Sequence, residues 1–208
     1  MKKYISNNFS RNIGIYFYMD KPKLTIELIP STSFYTNVRS ILPTKEWDRL
    51  RKESYEKANF KCQICGDVGT NQGYRHKLEC HEIWIYQKDG VQLLKELVSL
   101  CPRCHQVKHI GRSIAVGIKK IAFAHIAKVN KWKKEDVEKY VGFCFQEHKE
   151  KSKIKWKLNV KLLNEKLGVD EKLIDEGLRS KTLGKPTWKR KKKKKKIVAK
   201  KKRPTKKK

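Results

Sequence analysis

Acidic residues are scarce in this 208-residue chain: 21 Asp and Glu stand against 52 Lys and Arg, for a formal net charge of +31. The segment from Lys181 to Lys208 holds 17 basic residues and no acidic one. Over positions 1–180 that leaves 35 basic against 21 acidic, a net +14, so the body is basic in its own right. Charge this one-sided points to a polyanionic partner, because each Lys or Arg brought to a phosphate releases condensed counterions. Long apolar runs are missing too. No stretch approaches the ~18 consecutive apolar residues of a membrane span, so no membrane is expected as a partner. Lys2 and Lys3 are followed by Asn7, Asn8, Ser10, Arg11 and Asn12, which leave no apolar core for a signal peptide. The expected location is a reducing compartment: cytoplasmic, or nuclear in a eukaryotic host, where the lysine tail would also suit an import signal. Six cysteines in such a compartment read as thiols or metal ligands rather than as a disulfide framework.

Four regions are expected: an N-terminal extended segment over 1–45, a core over 46–112, a helical accessory region over 113–180 and a lysine-rich tail over 181–208. In the first, Leu24, Ile26 and Leu28 alternate with polar residues and Pro30 ends the run, as in a strand. Trp47, Leu50, Tyr55 and Ala58 share one face of a helix expected over Thr44 to Lys57. A second helix is expected through Ile114, Ile118, Ile121, Ile126 and Val129, and a third through Val137, Tyr140, Val141, Cys144 and Phe145, with Asn130 as a cap between them. Trp156 to Leu178 reads as a last short helical region. The tail, with Lys191 to Lys196, can bury nothing and is expected to be disordered in isolation.

Between 62 and 111 the chain is dense in Cys, His and Gly. Cys62-Gln-Ile-Cys65 and Cys101-Pro-Arg-Cys104 are two CxxC pairs separated by 35 residues. Each pair can bend into a knuckle whose thiolates face one ion, and two knuckles complete a tetrahedral site for structural Zn²⁺. Gly66, directly after the first pair, suits the tight turn such a knuckle needs. Cys80 and Cys144 have no partner at that spacing and read as small core residues. His105 and His109 are four apart on an expected helix and so face the same way, with His81 upstream on an expected strand. Three neutral imidazoles on a strand and a helix can grip one divalent ion and leave positions open for phosphate and water. His125 and His148, on the apolar faces of later helices, read as packed or surface histidines instead.

The segment Leu78-Glu79-Cys80-His81-Glu82-Ile83-Trp84, followed by Leu100-Cys101-Pro102-Arg103-Cys104-His105 and His109, resembles the HNH nuclease family. The likeness covers roughly residues 58–112. Toward a bacterial and viral branch of HNH proteins it extends to about Leu163, through Ile29-Pro30-Ser31-Thr32 to Arg39 and through Val107-Lys108-His109-Ile110-Gly111. The resemblance implies an α+β fold with a zinc-stapled ββα-metal core, and metal-dependent hydrolysis of phosphodiester bonds in nucleic acid, with double-stranded DNA as the expected substrate. It puts the ligands of the catalytic ion (Mg²⁺, Mn²⁺ or another divalent metal) at His81, His105 and His109. Two positions depart from the family pattern: Glu82 stands where the general base is usually His, and Glu96 where the family has Asn. Glu82 is expected to orient or deprotonate water, although its unperturbed pKa of about 4.3 makes it a weaker base than imidazole. Alternatively Glu82 is a metal ligand and His76 or another group is the base. Arg103, Lys108 and Arg112 are expected to track the phosphate backbone without reading bases. The rival reading is a non-catalytic, zinc-stabilised DNA- or RNA-binding protein derived from such a nuclease.

Overall fold

The computed structural model describes residues 22–33 and 37–182. The expected disorder of the tail therefore lies outside the described residues. Within them the chain is mixed α+β, with eight α-helices and one three-stranded sheet. The sheet is a hairpin, β1 (Glu79–Tyr86) antiparallel to β2 (Val91–Leu100), with the short β3 (Lys157–Asn159) parallel to the far end of β2. The register slips by one residue between Ile83 and Trp84, where Lys95 of β2 is left without a partner.

Two apolar cores flank this hairpin. One is built from Leu24, Leu100, Val107, Ile110, Ile126 and Val141, and the other from Val38, Trp47, Leu50, Leu94, Leu163 and Ile174. The second core receives α1 (Val38–Ile41) and α2 (Thr44–Lys57). The expected helix over 44–57 is present, and Trp47, Leu50 and Ser54, spaced three and four apart, form its buried face. β2 runs directly into α3 (Pro102–Lys108), where the Cys101 sulfur caps the helix by accepting from Cys104 N and Pro102 fills the first position. The single helix expected through 114–129 is instead divided. α4 (Ile110–Ala115) stops at a turn over Val116 to Ile118, and α5 (Lys119–Asn130) begins after it. The third helix is α6 (Lys134–Lys151), and the last region resolves into β3, α7 (Leu162–Glu165) and α8 (Glu171–Thr182).

The alternation of Leu24 and Ile26 does mark a one-sided buried segment, but it pairs with no strand. Its backbone groups go elsewhere: Leu24 N donates to Asn130 Oδ1 at 2.8 Å, Leu24 O accepts from Asn130 Nδ2 at 2.9 Å, and Ile26 N reaches the Tyr140 hydroxyl at 3.3 Å. Asn130 thus closes this segment onto α5 rather than capping a following helix. Glu27 N bonds Lys108 O at 3.0 Å. The regions divided at 45 and 112 from sequence consequently share both cores, with residues 24–28 held between α3, α5 and α6 and β3 completing the sheet.

Candidate metal centres

Both clusters are set by the β2–α3 corner. On one side, Cys101 and Cys104 meet Cys62 and Cys65, which sit on the loop after α2, and all four Sγ atoms lie within 4.8 Å of one another. That loop is pinned to β2 twice, by Gln63 N to Ser99 O at 3.0 Å and by Ser99 N to Gln63 Oε1 at 2.7 Å. The turn closes through Gly66 N to Cys62 O at 2.9 Å, with Gly66 at φ +78°. A tetrahedral ion with Zn–S bonds of about 2.3 Å would need sulfurs about 3.8 Å apart. The Cys65–Cys101 separation of 3.5 Å is close to that. Two nitrogens approach the cluster: Gln72 Nε2 donates to Cys101 Sγ at 3.2 Å, and His125 Nε2 lies 3.2 Å from Cys104 Sγ. The Cys104 thiol beside Cys101 pushes the Cys101 sulfur strongly toward the thiolate. These four cysteines can hold a metal ion, and their chemistry is that of zinc. Cys80 and Cys144 take no part in the cluster, and burial raises both thiols to about 12.

On the other side of the corner, His81 from β1 meets His105 and His109 from the α3–α4 joint, and one ring nitrogen of each lies within 4.8 Å of the others. Ring centroids are 5.3 Å apart for His81–His105, 4.9 Å for His81–His109 and 4.6 Å for His105–His109, all edge-on. His109 ends α3, and its N–H still bonds His105 O at 3.1 Å, so the two rings stay on the same side one turn apart. Burial and the neighbouring His105 and His81 lower the His109 pKa to about 3. Burial likewise lowers His81 below its ordinary value, with Glu27 opposing. Both rings are therefore neutral at pH 7, the form in which imidazole binds a metal.

Two carboxylates brace the cluster. Glu79, two residues before His81 and on the same strand face, takes a short bond from His105 Nδ1 and a 3.0 Å bond from His76 Nε2. Glu27 accepts from His81 Nε2 at 3.1 Å and from Lys108 Nζ at 2.6 Å. Burial alone would raise the Glu27 carboxyl, but the His81 bond and the Lys108 charge outweigh it and hold the pKa below its ordinary value. Burial opposes in the same way at Glu79, where the His105 bond prevails. Neither glutamate was singled out from sequence as a site residue. For Glu79 the strand period of two was a usable signal, whereas nothing local pointed to Glu27.

Other expected site residues are not members of the imidazole cluster. Glu82 follows His81 in β1 and is not among the residues whose donor atoms cluster. Its Oε1 accepts from Val38 N at 2.7 Å, at the start of α1 on the side of the second core. Glu82 also lines the cavity that His81, His109 and Glu27 line. Lys108 is no surface contact: it is 3 % exposed, and its ammonium is spent on Glu27 and on Thr25 Oγ1 at 2.8 Å. Arg103 is half-buried, Arg112 is exposed on α4, and Glu96 is exposed beside Lys95. Arg75 and Lys77, which with Tyr74 flank His76 in a stretch that the sequence also allows as a phosphate-contacting loop, are exposed on either side of it. His148 bonds Ile29 O at 3.0 Å and belongs to no described metal cluster. No helix among the described residues is long and apolar enough to cross a membrane. No family model, no curated protein and no solved structure matches this chain.

Proposed function

We propose that the protein is a metal-dependent endonuclease of the HNH type, hydrolysing phosphodiester bonds in nucleic acid, with duplex DNA as its substrate. The observation that carries this reading is the convergence of His81, His105 and His109 from a β-hairpin strand and the helix that follows it. Three protein ligands leave a position open, whereas a purely structural ion is closed off by four, as at the cysteines. A divalent ion held there would supply Lewis acidity to the scissile phosphate and the leaving oxygen. Three imidazoles favour a transition metal such as Mn²⁺, Ni²⁺ or Zn²⁺ over Mg²⁺, which prefers oxygen donors.

The chain's own groups would do the rest. Glu79 and Glu27 fix the rings of His105 and His81. His76, half exposed and sharing the Glu79 carboxylate with His105, takes the place of Glu82 as the side chain that accepts a proton from water. Arg75 and Lys77 beside it would hold the flanking phosphates, and the basic body and lysine tail would add affinity independent of base sequence.

Cleavage of supercoiled plasmid and linear duplex by purified protein, with Mn²⁺, Ni²⁺, Zn²⁺ or Mg²⁺, tests the reading. Metal-dependent nicking that disappears in His105→Ala supports it. Salt-sensitive binding without cutting by any metal would favour the second reading, a zinc-stabilised nucleic-acid-binding protein. That reading draws on one observation, the engagement of Glu82 with α1 in place of a base beside His81.

A further inference from the structure

Glu27 lies 54 positions before His81, outside every motif of the core, on a segment that forms no strand. Yet its carboxylate is fully committed at the imidazole cluster. Oε2 accepts from His81 Nε2 at 3.1 Å, and Oε1 accepts from Lys108 Nζ at 2.6 Å. Lys108 is 3 % exposed and lies in α3 between His105 and His109, so ligands and brace share one short stretch of chain. The Lys108 ammonium also donates to Thr25 Oγ1 at 2.8 Å, and Lys108 O accepts from Glu27 N at 3.0 Å. Residues 25–27 are thus fastened to the metal-binding helix by three bonds.

We infer that Glu27 is the positioning residue of the imidazole centre, selecting the tautomer and angle in which His81 meets the ion and making the 24–28 segment part of that centre. The inference rests on the metal-centre reading proposed above. With Nε2 donating to Glu27, His81 keeps Nδ1 as its ligand nitrogen, whereas His105 donates Nδ1 to Glu79 and keeps Nε2. Glu27 does not enter the cluster as a fourth ligand. Its oxygens lie outside the group of mutually close donors, and both are engaged. Lys108 offsets the carboxylate's charge and holds it on the ring. A carboxylate bonded to the outer nitrogen makes imidazole a better donor and removes the rotation it would lose on binding. The chain therefore ties metal affinity to docking of a segment that sequence motifs alone would treat as dispensable.

The test uses the full chain with one equivalent of zinc at the cysteines and Co²⁺ as probe for the second site. Wild type is expected to take one Co²⁺ per chain with a visible ligand-field band. Glu27→Gln, similar in shape, should take it about 10- to 100-fold more weakly while keeping its zinc and its far-UV spectrum. Long-range ¹⁵N–¹H spectra of the imidazoles, recorded on wild type before cobalt is added, should show His81 protonated at Nε2. A His81 protonated at Nδ1 would overturn the inference without recourse to any variant, so a Glu27→Gln protein that fails to fold does not shelter it. Equal Co²⁺ affinity in wild type and Glu27→Gln would overturn the role of Glu27 alone. A wild type that takes no second ion would overturn the metal-centre reading and this inference with it.

Discussion

His125 Nε2 lies 3.2 Å from Cys104 Sγ, joining α5 to the four-cysteine cluster across 21 residues of sequence. The ring is 9 % exposed and sits beside Ala122 and Ile126 of the first core. With zinc on the cysteines and Nε2 protonated, His125 would disperse the charge of the Cys104 thiolate and fix its direction without being a ligand.

Replacing His125 with Phe keeps the volume and removes that donor. Zinc should remain bound at one per chain but be lost to a competing chelator about 10-fold faster than from wild type. Absorbance of a colorimetric chelator follows the release, and an unchanged rate would mean the contact is packing alone.

Gly69 gives a second, steric prediction. A Cβ on this residue would lie 2.1 Å from His76 O and 2.8 Å from the Pro102 ring, so the loop between the knuckles tolerates no side chain here. Gly69 N also bonds Lys77 O at 2.7 Å, which ties the close approach to the loop's own closure. Gly69→Ala should destabilise the zinc-loaded protein by about 2–4 kcal/mol, in the range of a severe core overpacking. Urea denaturation measures it, and a loss below about 0.5 kcal/mol would show that the loop moves aside freely.

These contacts mark what the sequence could and could not disclose. The cysteine knuckles and the His105–His109 pair were legible because their geometry is local, set by a turn and by one helical period. Thr44 to Lys57 was legible for the same reason, as an apolar face on a single helix. The bond that the Glu82 carboxylate takes from Val38 N was not legible, because its donor lies 44 residues away at the start of α1. Lys108 reads as a solvated charge until the distant Glu27 is known to face it. The 24–28 alternation suggested a strand, but its hydrogen-bond partners are an asparagine side chain, a tyrosine hydroxyl and a helix carbonyl, which leave no periodic trace.

The buried imidazoles predict acid sensitivity. His109 has a folded pKa of about 3, below the value of about 6.5 expected in the unfolded chain. The unfolded chain therefore binds a proton that the folded one refuses, so stability is full above pH 6.5 and drains as pH falls from there toward 3. From this one group the loss approaches about 1.4 kcal/mol per pH unit. His109→Gln, which cannot titrate, should show a correspondingly flatter decline between pH 6.5 and 5 in urea denaturation with zinc at the cysteines. Parallel curves for the two proteins would show that His109 is not held neutral by the fold.

Proton transfer in the proposed cleavage supplies the last prediction, because two side chains are candidates for it. Glu82 is bonded to Val38 N at the start of α1, a contact a glutamine oxygen can keep. His76 is 50 % exposed at its side chain and shares Glu79 with His105, so it can meet solvent and substrate while its ring is held. Glu82→Gln should therefore leave metal-dependent cleavage close to wild type, whereas His76→Ala should lower the cleavage rate by about 10²–10⁴ without loss of DNA binding. Added imidazole should restore part of the His76→Ala rate, since a base is what the variant lacks and a merely structural defect would not respond. The opposite pattern, with Glu82→Gln inactive and His76→Ala unimpaired, would return the base to Glu82 and require α1 to release its carboxylate when substrate binds.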